Sequence, residues 1–435
     1  MRIAVLGAGV SGCVTARLLA SRHEVTLFEA GRHAGGHALT VDVELDGRPR
    51  RADVGFMVFN ERTYPNFCRM LDLLGVESRA SDMSFSVQDP ESGLEYQGSG
   101  LRGLFAQRTN ALRSSFWRML GEIARFNREA TAAAASSALP SQTTVGDFLD
   151  AGGFSERFRR CYLLPMASAI WSSTPGQIDR FPARFLLGFF ANHGLLQLRD
   201  RPQWRTIVGG SREYVRRLLA GMEASIRLIQ TIARVERTPT GFTIHSENGD
   251  AETFDEVVFA THADQARRLL DPLEAEEQAI LGDLPYAGNT AVLHTDASLL
   301  PKRRDAWASW NYRLTGDAEQ PASVTYDLGR LQGVAEPGRL LLTLNQDDAI
   351  DPDRVHRRFE FAHPAYSLES IAAQNRWAEI SGQRGVHFCG AYWGYGFHED
   401  GVRSALAVAN HFGIGLEACT AACTKAPSPT TAATR

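Results

Sequence analysis

The side chains best suited to proton transfer cluster near the C-terminus, in Tyr392-Trp-Gly-Tyr-Gly-Phe-His398-Glu399-Asp400. Histidine changes charge near neutral pH, so His398 is a candidate general acid or base, with Glu399 as its partner or as a second base. The competing structural reading has His398 and the two acids capping the helix that follows. At the other end of the chain the spacing serves holding rather than bond-breaking. Gly7-Ala-Gly9-Val-Ser-Gly12 follows the apolar run Arg2–Leu6 and opens an apolar helical pattern from Cys13 to Ala20. A second strand, Glu24–Phe28, then ends at Glu29, 20 residues after Gly9. In such a β-α-β unit the first glycine makes the tight turn and the second lets the backbone approach a pyrophosphate. The third allows helix and strand to pack closely, and the acid takes ribose hydroxyls. The helix N-terminus adds free N–H groups and partial positive charge. Gly98-Ser-Gly100-Leu-Arg-Gly103 matches the same pattern, but it follows a turn-rich stretch and opens no second β-α-β unit. It reads as a loop leading into a helix, so one dinucleotide site is expected.

The elements that must position these groups fit a chain of 435 residues, enough for two or three domains. With 44% hydrophobic and 22% charged residues, the composition argues against a disordered, collagenous or coiled-coil protein. A net charge of −4 and a pI near 6.3 give no basic footprint, so nucleic acid is not an expected partner. The six cysteines are scattered without a CxxC pair, which suggests neither a disulfide framework nor a thiolate zinc site, and no metal is expected. Only Lys302 and Lys425 are lysines, which limits the chemistry a lysine could perform. The fold signal starts at Arg2 with no leader pattern before it, so a cytoplasmic location is expected, with the inner membrane face as a peripheral alternative.

After Glu29 come Gly35-Gly36-His37, an alternating stretch from Ala38 to Leu45, a turn at Asp46-Gly47, and Asp53-Val-Gly55-Phe-Met-Val-Phe59. Residues 64–75 and 114–135 read as helices, with the Ala-rich end from Thr131 to Pro140 fraying into a linker. Between Val145 and Leu198 lie further helices dense in Phe, Leu and Trp. Within them, Phe181 to Leu198 comes nearest to a membrane span but is interrupted by Arg184, Asn192 and His193, and reads as core or cavity wall. Ile226–Ile232, Phe242–His245 and Phe254–Ala260 read as strands, and Gly385–Cys389 as a last strand entering Gly390. A helix is expected from about Gly401 to Phe412, then a Thr/Ala/Pro-rich tail without order.

Taken together, these strings resemble the FAD-dependent amine oxidase and carotenoid-desaturase superfamily. The N-terminal β-α-β, Gly35-Gly36, Asp53-x-Gly55 and Phe388-Cys-Gly390 occur in its order. The likeness is closer to one branch, the flavoprotein-like N-terminal domain of plant cyclopropane fatty acid synthases and its stand-alone bacterial relatives. It is carried by Asp53-Val-Gly-Phe-Met-Val-Phe-Asn60, Thr63-Tyr-Pro-Asn66, Ser81-Asp-Met-Ser-Phe-Ser-Val87, Arg201-Pro-Gln-Trp204 and the run from Phe388 to Gly401. The resemblance implies an α/β fold in which a Rossmann-type FAD-binding domain (1–80, 205–265, 380–418) is interleaved with a mixed-sheet and helical substrate domain (81–204, mostly helical, and 266–379). Residues 419–435 are then the disordered tail. By matching positions, Gly7, Gly9 and Gly12 cradle the FAD pyrophosphate and Glu29 takes the adenosine ribose. Gly35, Gly36 and Gly55 lie near the ribityl and flavin, and Ile232 lies against adenine. Gly390 follows the last strand, and Gly401 and Val402 open the helix facing the flavin pyrimidine edge. His37 stands where an arginine is frequent, and Ala391 replaces a frequent acid. The resemblance also implies that His363, in His363-Pro-Ala-Tyr366, is brought towards the flavin, which makes it a third catalytic candidate; its competing reading is a loop histidine that fixes a turn.

Amine oxidases of this superfamily commonly place a lysine near the flavin on a substrate-domain strand. The corresponding strand, Asn289–His294, has none, and Lys302 lies beyond it. Phe361–Tyr366 has no cysteine to hold a flavin covalently, so non-covalent FAD is expected. The expected activity is oxidation or dehydrogenation of an unsaturated or modified fatty acyl chain, a small-molecule or lipid substrate. The alternatives are a small-amine oxidase, a redox-neutral double-bond isomerase, and a flavin-bearing, non-catalytic partner of a lipid methyltransferase. A peripheral membrane contact is a further expected interaction.

Overall fold

The computed structural model of the chain describes residues 1–45, 47–136, 139–197, 199–334 and 339–420. A five-stranded parallel sheet runs in the order 226–227, 24–28, 2–6, 256–259, 386–388. Its central strands, Arg2–Leu6 and Glu256–Phe259, are apolar after their first residue, as a sheet covered on both faces requires. Ile3, Ala4, Val5 and Leu6 are at most 1% exposed. Strand pairing sets Leu6 beside both Phe28 and Phe259, so three strands end together at one edge, where open parallel sheets bind their ligands. Helix Val10–Leu19 leaves this edge and packs against helix His398–His411.

Two expected strands are each divided between sheets. Ala251–Phe254 joins a mainly antiparallel sheet with 241–246, 232–238 and 270–271, the last pairing parallel to 232–238, whereas Glu256–Phe259 joins the parallel sheet. Asp255 stands between them, its carboxylate accepting from Arg2 N at 2.7 Å. Ile226–Arg227 likewise extends the parallel sheet, Ile229 turns at φ +58°, and Ile232–Thr238 enters the antiparallel one. Residue types announce extended chain in both cases. The breaks follow from pairing partners distant in sequence.

A seven-stranded sheet runs 355–364, 286–294, 341–344, 323–327, 310–313, 85–89, 94–97, antiparallel except between 310–313 and 85–89. Beside it, helices Ser114–Ala135, Leu164–Trp171 and Ala183–Asn192 enclose an aromatic core that includes Phe126, Phe158, Trp171, Phe181 and Phe190. The helix expected at 64–75 is Pro65–Leu74. Gly98–Gly103 is a loop entering the one-turn helix Leu101–Leu104. Among the described residues no helix is long and apolar enough to cross a membrane. The packed chain continues past the expected start of the tail, because Leu416–Thr420 forms a 3-10 turn with Cys419 buried and its carbonyl accepting from Arg17 Nε at 2.6 Å. Residues 421–435 lie outside the described residues.

Candidate active site

The three fingerprint glycines do different work. Gly7 has φ +95°, and a Cβ there would sit 2.9 Å from the Ala260 carbonyl oxygen. A Cβ on Gly12 would overlap the Gly7 carbonyl oxygen, so helix and strand touch only because that residue is glycine. A Cβ on Gly9 would meet nothing within 4 Å, because Gly9 faces a cavity of about 870 Å³. As the N-cap of helix Val10–Leu19, Gly9 offers no side-chain acceptor, and the first turn holds no acid. That helix end is left able to receive an anion. Gly35 N donates to Ala8 O at 2.7 Å, and Gly36, at φ +57°, closes over Gly9. The Glu29 carboxylate lines the cavity, accepting from Ala8 N at 2.8 Å and Gly31 N at 2.7 Å. Ile232, Gln230 and Glu247 line the same end.

Of the residues expected to hold the cofactor, Gly7, Gly9, Glu29, Gly36, His37, Gly55, Ile232 and Gly390 line this cavity, whereas Gly12, Gly35, Gly401 and Val402 stand behind its wall. Gly401 has a packing reason of its own. A Cβ there would lie 2.6 Å from Val10 Cγ1 and 3.0 Å from Ser11 Oγ, so two helix N-termini meet at this glycine. A Cβ on Gly55 would overlap the His37 carbonyl, which also accepts from Phe56 N at 2.7 Å.

The last helix begins at His398, one turn earlier than expected, because Phe397 N donates to Asp400 Oδ2 at 3.1 Å and starts it there. His398 lines the cavity with its ring stacked on Phe56, centroids 3.6 Å apart at 10°, and its Nε2 is 3.1 Å from the Tyr214 hydroxyl. Burial alone pushes its pKa down to about 3, so the ring is neutral. Glu399 is turned away from the cavity. Its Oε1 accepts from Asn66 N at 3.2 Å and Asn66 Nδ2 at 2.6 Å, and its Oε2 from Phe67 N at 2.9 Å, which caps helix Pro65–Leu74. Glu399 thus caps an earlier helix and not the one that follows it, where Asp400 does the capping, and proton transfer by Glu399 would have to displace these bonds.

His363 is the better-placed ring. It lines the cavity 5.1 Å from His37, whose own buried Nε2 has no partner. A chain of hydrogen bonds assigns its tautomer. Thr290 N can only donate, so the Asn345 oxygen that it meets at 3.0 Å is an acceptor, and Asn345 Nδ2 donates to Asn289 Oδ1 at 2.7 Å. Asn289 Nδ2 therefore donates to His363 Nδ1 at 3.1 Å, which leaves the His363 proton on Nε2. Burial lowers the His363 pKa to about 4, and His37 is held well below its usual value by burial and then by the neighbouring histidines. Asn289 and Asn345 carry no local sequence signal for this role: they lie 56 residues apart and meet only across the sheet.

Beyond His363 the lining turns apolar, with Met57, Met83, Phe85, Ile170, Leu342 and Leu344 among its members. Among the described residues, the only carboxylates on the cavity wall are Glu29 and Glu247, and the only arginine is Arg268. All three belong to the Ile232 end, since Glu247 N bonds Thr231 O and the helix bearing Arg268 packs on strand Ile232–Thr238. Lys302 is exposed on the surface, its backbone N bonded to Glu95 Oε1 at 2.9 Å.

A glycine-cradled edge of a parallel sheet, opening directly into a largely apolar chamber beneath a mixed sheet, defines a dinucleotide-cofactor enzyme. The cradle suits FAD: Gly9 leaves room for backbone approach, the uncapped helix end suits a pyrophosphate, and the buried His37 Nε2 lacks a partner. The chain belongs to the flavin containing amine oxidoreductase family, whose profile matches residues 10–303, and is an FAD-dependent oxidoreductase. A Mycobacterium tuberculosis protein named "Putative flavin-containing monoamine oxidase AofH" is 23% identical over 340 residues, 75% of this chain and 70% of its own. Among solved structures, the cyclohexylamine oxidase of Brevibacterium oxydans superposes with a TM-score of 0.65 at 17% identity, covering 95% of this chain and 99% of its own. The CLA-producing fatty acid isomerase of P. acnes does so with 0.66 at 16%, covering 94% and 98%.

Proposed function

We propose that the substrate is an unsaturated or otherwise modified fatty acyl chain, from which two hydrogens are removed. The observation that carries this reading is the distribution of charge on the cavity wall. Among the described residues, the end beyond His363 has no carboxylate to receive an ammonium and no arginine or lysine to receive a free carboxylate. A charged head drawn into such a site would remain unpaired, at a cost of several kcal/mol (~3–5). The substrate therefore enters by its chain and keeps its head group outside, as an acyl chain on a phospholipid would. The resemblance to the flavoprotein-like domain of plant cyclopropane fatty acid synthases supports the same class.

Gly7, Gly9, Gly36 and Glu29 would hold FAD, and when bound FAD accepts the two electrons removed. None of the described cysteines lines the cavity, which supports non-covalent binding. The apolar wall would align the chain and exclude water, and His363, with its proton on Nε2, offers a donor in a chamber whose wall also carries the unpartnered Trp310 indole and Tyr366 hydroxyl. The experiment is aerobic incubation of purified protein with defined monounsaturated and cyclopropanated phospholipids, followed by mass spectrometry of the acyl chains. A product lighter by two hydrogens supports the proposal. A rearranged chain of unchanged mass would replace it with isomerisation, and peroxide from an amine panel with untouched lipid would overturn it.

A further inference from the structure

We propose that the surface formed by residues 101–118 docks on an anionic phospholipid bilayer. Leu112 is 89% exposed, Leu101 76% and Trp117 52%, which concentrates three large apolar side chains in one stretch of surface. They sit on helix Leu101–Leu104, the 3-10 turn Arg108–Leu112 and the start of helix Ser114–Ala135. The Trp117 indole N–H donates to Ala111 O at 2.9 Å, so its ring can enter an acyl layer without taking an unpaired donor with it. Arg102, Arg108, Arg113 and Arg118 share the stretch, and no acidic residue falls between Glu95 and Glu122, in a chain whose net charge is −4.

Charge and neighbourhood decide the occupant. Arg102 pairs with Asp305 and Arg118 with Glu122, whereas Arg108 makes no ion pair among the described residues. Together with Arg303 and Arg304, Arg108 lines a shallow depression beside the apolar side chains, with Asp305 on its rim. Guanidinium groups next to exposed Leu and Trp match the phosphate and acyl levels of a bilayer side by side. A second copy of this surface would oppose arginine to arginine. Beneath the patch, Trp117 rests 5.5 Å from Phe105 and Phe105 lies 6.0 Å from Phe116. Their cluster packs against Phe85, which lines the apolar end of the cavity. Docking here would bring that end towards the lipid. The inference does not require the acyl reading, because its test measures binding and not turnover.

The test is flotation of the full-length, FAD-loaded protein with vesicles of phosphatidylcholine alone or mixed with phosphatidylglycerol. Binding is expected on the anionic vesicles, weakening as salt rises. Each arginine near the surface contributes about fivefold, so Arg108→Gln with Arg113→Gln should weaken binding roughly 25-fold. Trp117→Ser should weaken it with melting temperature and flavin content unchanged. Arg48→Gln with Arg384→Gln, exposed elsewhere, should leave it as it was. Absence of binding, equal binding to both vesicles, or patch variants that bind like the parent would each overturn the proposal. So would a Trp117→Ser effect confined to oligomeric state in gel filtration, which would make the patch a protein interface.

Discussion

Replacing Gly9 and replacing Gly12 should have opposite consequences, although both belong to one motif. Gly9 has φ −68° and ψ −177°, a conformation open to any L residue, and a Cβ there meets no atom within 4 Å. Gly9→Val therefore places its Cβ without a clash and reduces the freedom of the unfolded chain, while Val caps a helix less well than Gly, so the two effects oppose and the apo form should stay within about 1 kcal/mol of the parent. The added methyls project into the space needed for backbone approach to the pyrophosphate. Loss of two charge-assisted hydrogen bonds at ~1.5–3 kcal/mol each weakens FAD by roughly a hundredfold or more. Gly12→Ala instead drives a methyl into the Gly7 carbonyl and forces helix and strand apart, a loss of about 1–3 kcal/mol in the apoprotein. Flavin fluorescence quenching on reconstitution gives the affinity, and calorimetry of the apoproteins gives the stability. Wild-type FAD affinity in Gly9→Val would refute this placement of the cofactor. A Gly9→Val apoprotein destabilised by several kcal/mol, as a steric clash would cause, would refute the claim that the residue faces open space.

Three further outcomes follow from the site. Glu399→Gln retains one acceptor but loses the charge that caps Asn66 and Phe67, so it should cost about 1–2 kcal/mol of stability with turnover changed less than threefold; a large fall in kcat at unchanged stability would return Glu399 to the chemistry. Asn289→Leu frees the His363 tautomer and should lower kcat by tenfold or more at unchanged flavin content; an unchanged kcat would remove His363 from catalysis. Burial lowers the pKa of His193, His294 and His363 to about 4 and of His398 to about 3, against 6.5 when unfolded. The unfolded chain thus takes up protons that the fold excludes, and stability is lost as pH falls from 6.5, roughly 2 kcal/mol per histidine by pH 5. Asp53 and Asp400, raised by burial to about 6, oppose this by binding protons first in the folded state, but they are the fewer. The melting temperature should fall between pH 7 and pH 5; a constant or rising one would contradict the assignment.

How much was legible depends on whether a residue's partner lies nearby in the chain. The first β-α-β unit follows from its own residue types, and Arg2–Leu6, Glu24–Phe28 and the helix after Gly9 form where they were expected. Helices 65–74 and 114–135 are local in the same sense. The divided strands at 226–238 and 251–259 were less legible, since each half is claimed by a different sheet. The start of the last helix moved because the Asp400 carboxylate reaches back to Phe397 N, so His398 and Glu399, two of the catalytic candidates, lie in its first turn. The relay from Asn345 through Asn289 to His363 was invisible to sequence reading. An asparagine on a strand reveals its function only when the strand across from it is known.

The account stands or falls on an anaerobic titration of the FAD-loaded protein, followed through the flavin's visible absorbance. Phospholipids bearing monounsaturated or cyclopropanated chains are predicted to bleach the band, with recovery on admitting air, while a panel of small amines leaves it intact. Bleaching by an amine and by none of the acyl lipids would contradict the reading of the cavity.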